Sequence, residues 1–315
     1  MKVLVTGATG FVGEAMCRRL AASGHQVVGA VRAASAAPGW RETRVSGDLT
    51  GVSDFSALVD GIDAVVHLAA RVHVMRETAA DAEGLYRAAN ATVTERLADA
   101  AAAAGVDRFV FLSSVKVNGE ATRDMPFDDA AAPAPLDAYG RSKLAAEQAL
   151  ERFGGSPLTV TTLRPPLIYG PGVKANFRAL MRLCDTPLPL PLDGITENRR
   201  SLLFLGNLTH AIERVLAAPS PTPGTFLLSD GEDLSTAELV HRLRHSFNRR
   251  TVALPLPTGL LRAAAGRAGK SAAADRLCGS LQVDSRRFRD AFDWMPPFTV
   301  GQGLAATAAR FRASP

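Results

Sequence analysis

Val3 to Gly13 reads V-L-V-T-G-A-T-G-F-V-G, and the fold turns on how this run is read. Val3, Leu4 and Val5 favour a strand. Glycines follow at once, and then E-A-M-C-R-R-L-A-A, which holds good helix formers and no Gly or Pro. A strand that turns straight into a helix leaves the helix's first N–H groups unpaired. Glycines at 7, 10 and 13 let that backbone come close to a pyrophosphate, whose charge the free N–H groups meet. The run therefore predicts a strand over 3–6, a helix from Phe11 to about Ala22, and a phosphate seat between them.

Working outward, short β-branched runs recur at Q-V-V-G-A-V (26–31), A-V-V-H-L (64–68), R-F-V-F-L-S (108–113) and T-V-T-T-L (159–163). Helical patterns separate them, which predicts a Rossmann-type, doubly wound parallel α/β sheet. Leu85, Ala89, Val93, Leu97 and Ala101 repeat every four residues and mark one face of a long helix. After Pro165 the texture changes to L-P-L-P-L and P-S-P-T-P-G. Residues 1–164 are therefore expected to form the dinucleotide domain, and 165–315 mainly a smaller α/β substrate lobe with some segments returning to the first. The stretch D-S-R-R-F-R-D-A-F-D-W-M-P-P-F should turn Phe288, Phe292 and Trp294 inward.

With 315 residues and 47% hydrophobic content the chain can bury a full core. No apolar run reaches the length of a membrane span, and the N-terminus lacks the apolar core of a signal peptide, so a cytoplasmic protein is expected. Cys17, Cys184 and Cys278 are far apart and without metal or redox spacing; they read as reduced packing residues, and no metal is expected. The net charge of +5 is spread along the chain, which argues against a nucleic-acid partner.

The second strand ends Val31-Arg32, with no carboxylate for a ribose 2′-hydroxyl and a guanidinium suited to a 2′-phosphate. This favours NADP(H), with NAD(H) the alternative. Asp48-Leu49 follows another short strand, where the acid could meet the adenine amino group or belong to a helix cap.

A second stretch, A-Y-G-R-S-K-L-A-A-E (138–147), sets one of three tyrosines four residues before one of five lysines. Independent scatter would produce roughly 0.05 such pairs. Residues i and i+4 share a helix face, so Lys143 is expected beside Tyr139, its ammonium lowering the phenol's pKa. Ser114, after strand 108–113, can hold a substrate oxygen against that phenol. Tyr139 would then exchange an alcohol proton while a nicotinamide exchanges hydride with the carbinol carbon.

These residues, with T-G-A-T-G-F-V-G, G-D-L-T, H-L-A-A, S-S-V-K-V-N-G, L-R-P-P-L-I-Y-G-P-G and the final D-S-R-R-F-R-D-A-F-D-W-M-P, resemble the extended, nucleotide-sugar branch of the short-chain dehydrogenase/reductases. The resemblance implies catalytic Ser114, Tyr139 and Lys143. It implies a cofactor held by Gly7, Thr9, Gly10, Phe11, Val12, Gly13, Arg32, Asp48, Leu49, Leu68, Ala69, Ala70, Asn90, Tyr139, Lys143 and Pro166. It implies a UDP-sugar met by Ser114, Lys116, Asn176, Arg200 and Arg276, and a homodimer formed through helices at about 81–104 and 137–153.

Departures from motif sort the chemistry. Ser114-Val115-Lys116 lacks the Asp-Glu pair that the resembled 4,6-dehydratases carry there. L-P-L-P-L, N-R-R-S-L, F-L-L-S-D-G-E-D-L-S-T and R-L-C-G-S-L-Q-V-D resemble the bacterial UDP-4-keto-6-deoxy-N-acetylglucosamine 4-reductases of O-antigen synthesis, so the first expectation is C4-ketone reduction. The second is a UDP-hexose 4-epimerase with tightly held NAD. The third is a non-catalytic cofactor sensor, against which the Tyr/Lys pair argues. His67 reads as structural. His73, Arg71 and Met75 are weak candidates for substrate contact. Lys116 can be solvated, Asn118 stands where relatives often have Tyr, and Asn207 stands where they often have Asp.

Overall fold

The computed structural model describes residues 1–33, 40–72, 81–250, 254, 256–267, 269 and 271–313. Its first unit follows the opening stretch: β1 (Lys2–Thr6) turns into α1 (Phe11–Ala22) and returns through β2 (Gln26–Val31) and β3 (Glu42–Val45). A short α2 (Ser56–Val59) leads to β4 (Ala64–His67), and α3 (Ala82–Arg87) and α4 (Val93–Ala103) to β5 (Arg108–Leu112). Then come α5 (Ala138–Glu151) and β6 (Thr159–Arg164). With β9 (Gly224–Leu227) they form one seven-stranded sheet, order β3-β2-β1-β4-β5-β6-β9, parallel at every pairing.

Residue alternation explains why β1 is apolar throughout. Val3 and Val5 join Met16, Cys17 and Leu20 of α1 on one face, whereas Leu4 joins Val28, Val65 and Phe109 on the other, beneath Leu97 and Ala101 of α4. The chain winds outward from β1 to β3, then restarts at β4 in the opposite direction. That reversal opens a crevice beyond the carboxyl ends of β1 and β4.

The expected long helix is interrupted. One π-helical turn, Ala88–Thr92, separates α3 from α4. Its wider loop shifts the register, so Val93, Leu97 and Ala101 are buried as expected, but Leu85 is 44% exposed and Tyr86 takes the inward place.

The second half builds a three-stranded sheet, β10-β8-β7, from β7 (Leu167–Tyr169), β8 (Arg200–Phe204) and β10 (Asp233–Leu234). Helices α6 (Ala175–Cys184), α8 (Thr236–Ser246) and α12 (Val300–Arg312) close a separate core over it. The remaining helices are α7 (Leu205–Ala217), α9 (Thr258–Arg267), α10 (Ser271–Cys278) and α11 (Arg286–Phe292). After Asp293, in the left-handed conformation that ends α11, Phe288, Phe292 and Trp294 are buried against α7 and the main sheet. No helix among the described residues is long and apolar enough to cross a membrane.

Candidate active site

The glycine turn fills the crevice at the sheet reversal. Gly7 has φ of 66°, and a Cβ there would lie 2.8 Å from the Ala69 nitrogen; one on Gly13 would lie 2.0 Å from the Gly7 oxygen. Gly10 caps α1 with no side-chain hydrogen bond, so the helix's first N–H groups are left for a ligand. Thr9 and Gly10 are exposed, and Phe11, Val12, Leu68, Ala69 and Ala70 are half-buried around them. Only a side-chain-free turn lets the two loops close on each other, and this cradle fits a dinucleotide's pyrophosphate.

A buried polar chain locks the cradle. Thr6 Oγ1 accepts from the Leu68 and Ala69 N–H groups, 3.2 Å each, and lies 2.7 Å from His67 Nδ1. His67 Nε2 is 2.9 Å from Thr94 Oγ1, which donates to the Asn90 carbonyl in the π turn. With the Thr94 proton committed, His67 must donate from Nε2 and accept from Thr6 at Nδ1, the neutral tautomer. Burial, helped by the Lys143 charge, lowers its pKa to about 3. His67 is structural, in line with the sequence reading.

Asn90 reaches sideways. Its amide donates to the Arg71 carbonyl (3.0 Å) and Ser142 Oγ (2.9 Å) and accepts from the Arg71 N–H (2.8 Å). Ser142 Oγ donates to the Tyr139 carbonyl at 2.8 Å, so the loop after β4 and the start of α5 are tied together. The Arg71 guanidinium lies 5.3 Å over the Tyr86 ring; His73 and Met75 lie outside the described residues.

At the ribose end Val31 is buried and Arg32 exposed. Asp48 caps a 3-10 turn, Leu49–Gly51, accepting from Thr50 N–H (3.0 Å) and Thr50 O–H (2.8 Å). These bonds, and more weakly the Arg32 charge, hold its carboxyl below the usual range.

Ser114 follows β5 and its Oγ accepts from the Lys116 N–H at 3.2 Å. Tyr139 stands in the first turn of α5, edge-on to Tyr86 with centroids 6.3 Å apart. The i,i+4 spacing does bring Lys143 over the Tyr139 ring, but the expected lowering of the phenol is not found. Lys143 is 2% exposed, its Nζ donates to the Leu112 carbonyl (2.8 Å) and lies 4.6 Å from the Phe111 ring, but 6.0 Å from the Tyr139 ring centre. Burial lowers its pKa to about 7 against the Glu147 charge. The phenol is raised instead: desolvation, then Asp137, push it above the ordinary tyrosine range, and only the Ser114 hydroxyl pulls it down.

Sequence reasoning missed the ion pair below this site. Arg164 binds Glu147 (Nη2 to Oε2, 2.5 Å), and Ser113 Oγ also donates to Glu147. Arg164 Nη1 donates to Asn118 Oδ1 at 3.1 Å. Asn118 is therefore buried structure. Glu147, one turn beyond Lys143, was the available signal. Pro166 is buried between β6 and β7.

On the lobe, Arg200 donates from Nη1 to the carbonyls of Arg276 (2.8 Å) and Gly279 (2.9 Å). Its pKa is lowered by burial first and then by the Arg276 charge. Asn176 is exposed and follows Ala175, whose φ of 52° is strained for a residue with a Cβ. Lys116 is held by Asp137 (2.5 Å) and Glu120 (2.8 Å) rather than solvated.

Residues 3–228 match the model of the NAD dependent epimerase/dehydratase family. The chain belongs to this family. It is 41% identical over 312 residues to a UDP-glucose 4-epimerase of Vibrio cholerae, covering 98% of this chain and 95% of that one. It is 31% identical over 263 residues to a 2-alkyl-3-oxoalkanoate reductase of Stenotrophomonas maltophilia, covering 77% and 74%. Among solved structures, MoeE5 in complex with UDP-glucuronic acid and NAD superimposes with a TM-score of 0.78 at 25% identity over the whole of both chains. The matched span of this epimerase/dehydratase-family chain runs from β1 through β9 and so takes in every strand of the main sheet.

Proposed function

We propose that the chain is a UDP-hexose 4-epimerase that uses NAD. The observation that carries this reading is the end-to-end likeness to the Vibrio cholerae 4-epimerase, and Ser114 after β5 with Tyr139 and Lys143 on α5 are the residues we assign to the chemistry. It supports the epimerase expectation above the first one, a 4-ketone reductase.

Gly7, Gly10 and Gly13 would hold the pyrophosphate through backbone N–H groups, and the Asn90–Ser142 bond would keep α5 against the cofactor loop. Bound NAD would supply hydride exchange at C4 of the hexose and, through its positive ring, the charge that favours a Tyr139 phenolate. Tyr139 Oη takes the O4 proton and returns it once the hexose presents its other face. Ser114 Oγ orients O4. Lys143 lies buried beneath the phenol, where burial lowers its pKa and so eases the loss of its own proton. Arg200, Arg276 and Asn176 are assigned to the diphosphate and uridine.

A second reading, the NADPH-dependent reductase, is favoured by one observation: β2 ends on Val31 and Arg32 without an acid for the ribose. Purified protein incubated with UDP-glucose and with UDP-N-acetylglucosamine, without added cofactor, separates the two. Appearance of the galacto epimer is expected. No epimer, together with oxidation of NADPH by UDP-4-keto-6-deoxy-N-acetylglucosamine, would overturn the epimerase and establish the reductase.

A further inference from the structure

We propose that Lys116 is a positioning residue that docks the Ser114 turn onto the Tyr139 helix and neutralises Asp137 beside the phenol. The inference rests on Tyr139 as the proton carrier of the proposed reaction. Lys116 belongs to the turn Val115–Val117 that follows Ser114, and touches both halves of the pair in three ways. Its N–H donates to Ser114 Oγ at 3.2 Å. Its carbonyl packs on the first turn of α5 so closely that a Cβ on Gly140 would lie 2.8 Å from it. Its ammonium reaches Asp137 Oδ2 at 2.5 Å, while Asp137 Oδ1 accepts the Gly140 N–H at 2.7 Å and so caps the helix that carries Tyr139.

Asp137 has an electrostatic cost as well as a capping use. A carboxylate two residues before the phenol opposes its ionisation, and it does raise the Tyr139 pKa. The other groups around the ring do not cancel it. Tyr86 stands edge-on to the ring, Lys143 sits below it bonded to Leu112, the Arg71 guanidinium lies over Tyr86, and Arg141 is engaged with Glu83. Lys116 is bonded directly to Asp137, whose charge Arg141 also feels. Although burial works against its charge, Asp137 and Glu120 outweigh burial and raise its pKa, so the ammonium persists.

The test is the pH profile of sugar turnover. Lys116→Met is expected to move the limb set by Tyr139 about one pH unit to the alkaline side, with roughly tenfold slower turnover at neutral pH and a KM within about twofold of wild type. Asp137→Asn, which keeps a capping oxygen, should move it the opposite way. The double variant should return near wild type, and Lys116→Arg should restore most of the rate. A limb that Lys116→Met leaves in place, or one that the double variant fails to return, overturns the proposal. If Lys116→Met does not fold, the direction of the Asp137→Asn shift decides. If the wild-type protein turns over no sugar, the reaction assignment fails separately. Phenolate at a fixed alkaline pH is then read in NAD-loaded, 13C-tyrosine-labelled protein, with Tyr139→Phe assigning the signal: less phenolate in Lys116→Met upholds the coupling, and an equal amount ends it.

Discussion

The two proposed ligand surfaces are built differently. At the β1–α1 turn the ligand surface is backbone, held by glycines, and every side chain that supports it is bonded from behind through Thr6, His67, Thr94 and Asn90. On the lobe the proposed surface is side chain: Arg200 donates to the Arg276 carbonyl and Asn176 stands exposed after a strained alanine. The first kind of site is complete before its ligand arrives. The second, proposed for the sugar nucleotide, would be set by what each position carries, so one scaffold could accept different sugars by changing a few residues. The predictions attack this contrast where it is strongest.

The largest effect is expected from Tyr139→Phe. Removing the phenol should slow turnover about a thousandfold, since a positioned acid–base group contributes roughly 10²–10⁴, while NAD retention and melting temperature stay near wild type. Retained turnover would remove Tyr139 from the chemistry. Next is Gly13→Ala on the backbone side. With the new methyl 2.0 Å from the Gly7 oxygen, helix and turn must part. Overpacking should cost about 1–3 kcal/mol of stability, and NAD binding by calorimetry should weaken roughly a hundredfold. A variant that keeps full affinity would show that the cradle is not made by close backbone approach. Arg200→Ala tests the side-chain side: KM for the UDP-sugar should rise about ten- to thirtyfold with NAD affinity unchanged. If NAD affinity falls instead, the two sides are not separable in the way the contrast holds.

The same contrast explains what could be read from the sequence. The glycine turn, the parallel strands and the Tyr139–Lys143 spacing are local patterns set by backbone geometry, and the family-level reading followed from them. Leu85 was misplaced because a π turn changes helical phase without any mark in residue type. The i,i+4 spacing gives Lys143 and Tyr139 their shared face, but not how far burial shifts each group. The wells of desolvation around Lys143 and Tyr139, and the partners Glu147 finds in Arg164 and Ser113, depend on strands 17 and more residues away in the chain. The choice between epimerase and reductase was not legible either: Val31 and Arg32 spoke for one cofactor, while the end-to-end likeness to a 4-epimerase speaks for the other reaction.

Asn207 carries the smallest prediction and the sharpest sign. Its amide donates to Asp230 Oδ1 (2.7 Å) and to the Phe298 carbonyl (2.9 Å), and its oxygen accepts the Phe298 N–H (3.0 Å), so it clamps α7 to the segment leading into α12. Asp230 is itself raised above the usual carboxylate range, by burial first, despite the donors Asn207, Phe204 and Tyr169. Asn207→Asp keeps the oxygen for Phe298 but replaces both donated bonds with a second carboxylate facing the first. The pair then binds a proton more tightly folded than unfolded. Its cost is therefore absent below the unfolded carboxylate pKa, grows as pH rises through the folded value, and is full above it. Stability should fall by about 1–2 kcal/mol at roughly pH 8 and by clearly less at roughly pH 5. Melting temperatures at the two pH values check this. A deficit equal at both would mean that the lost donors, not the facing charges, set the cost.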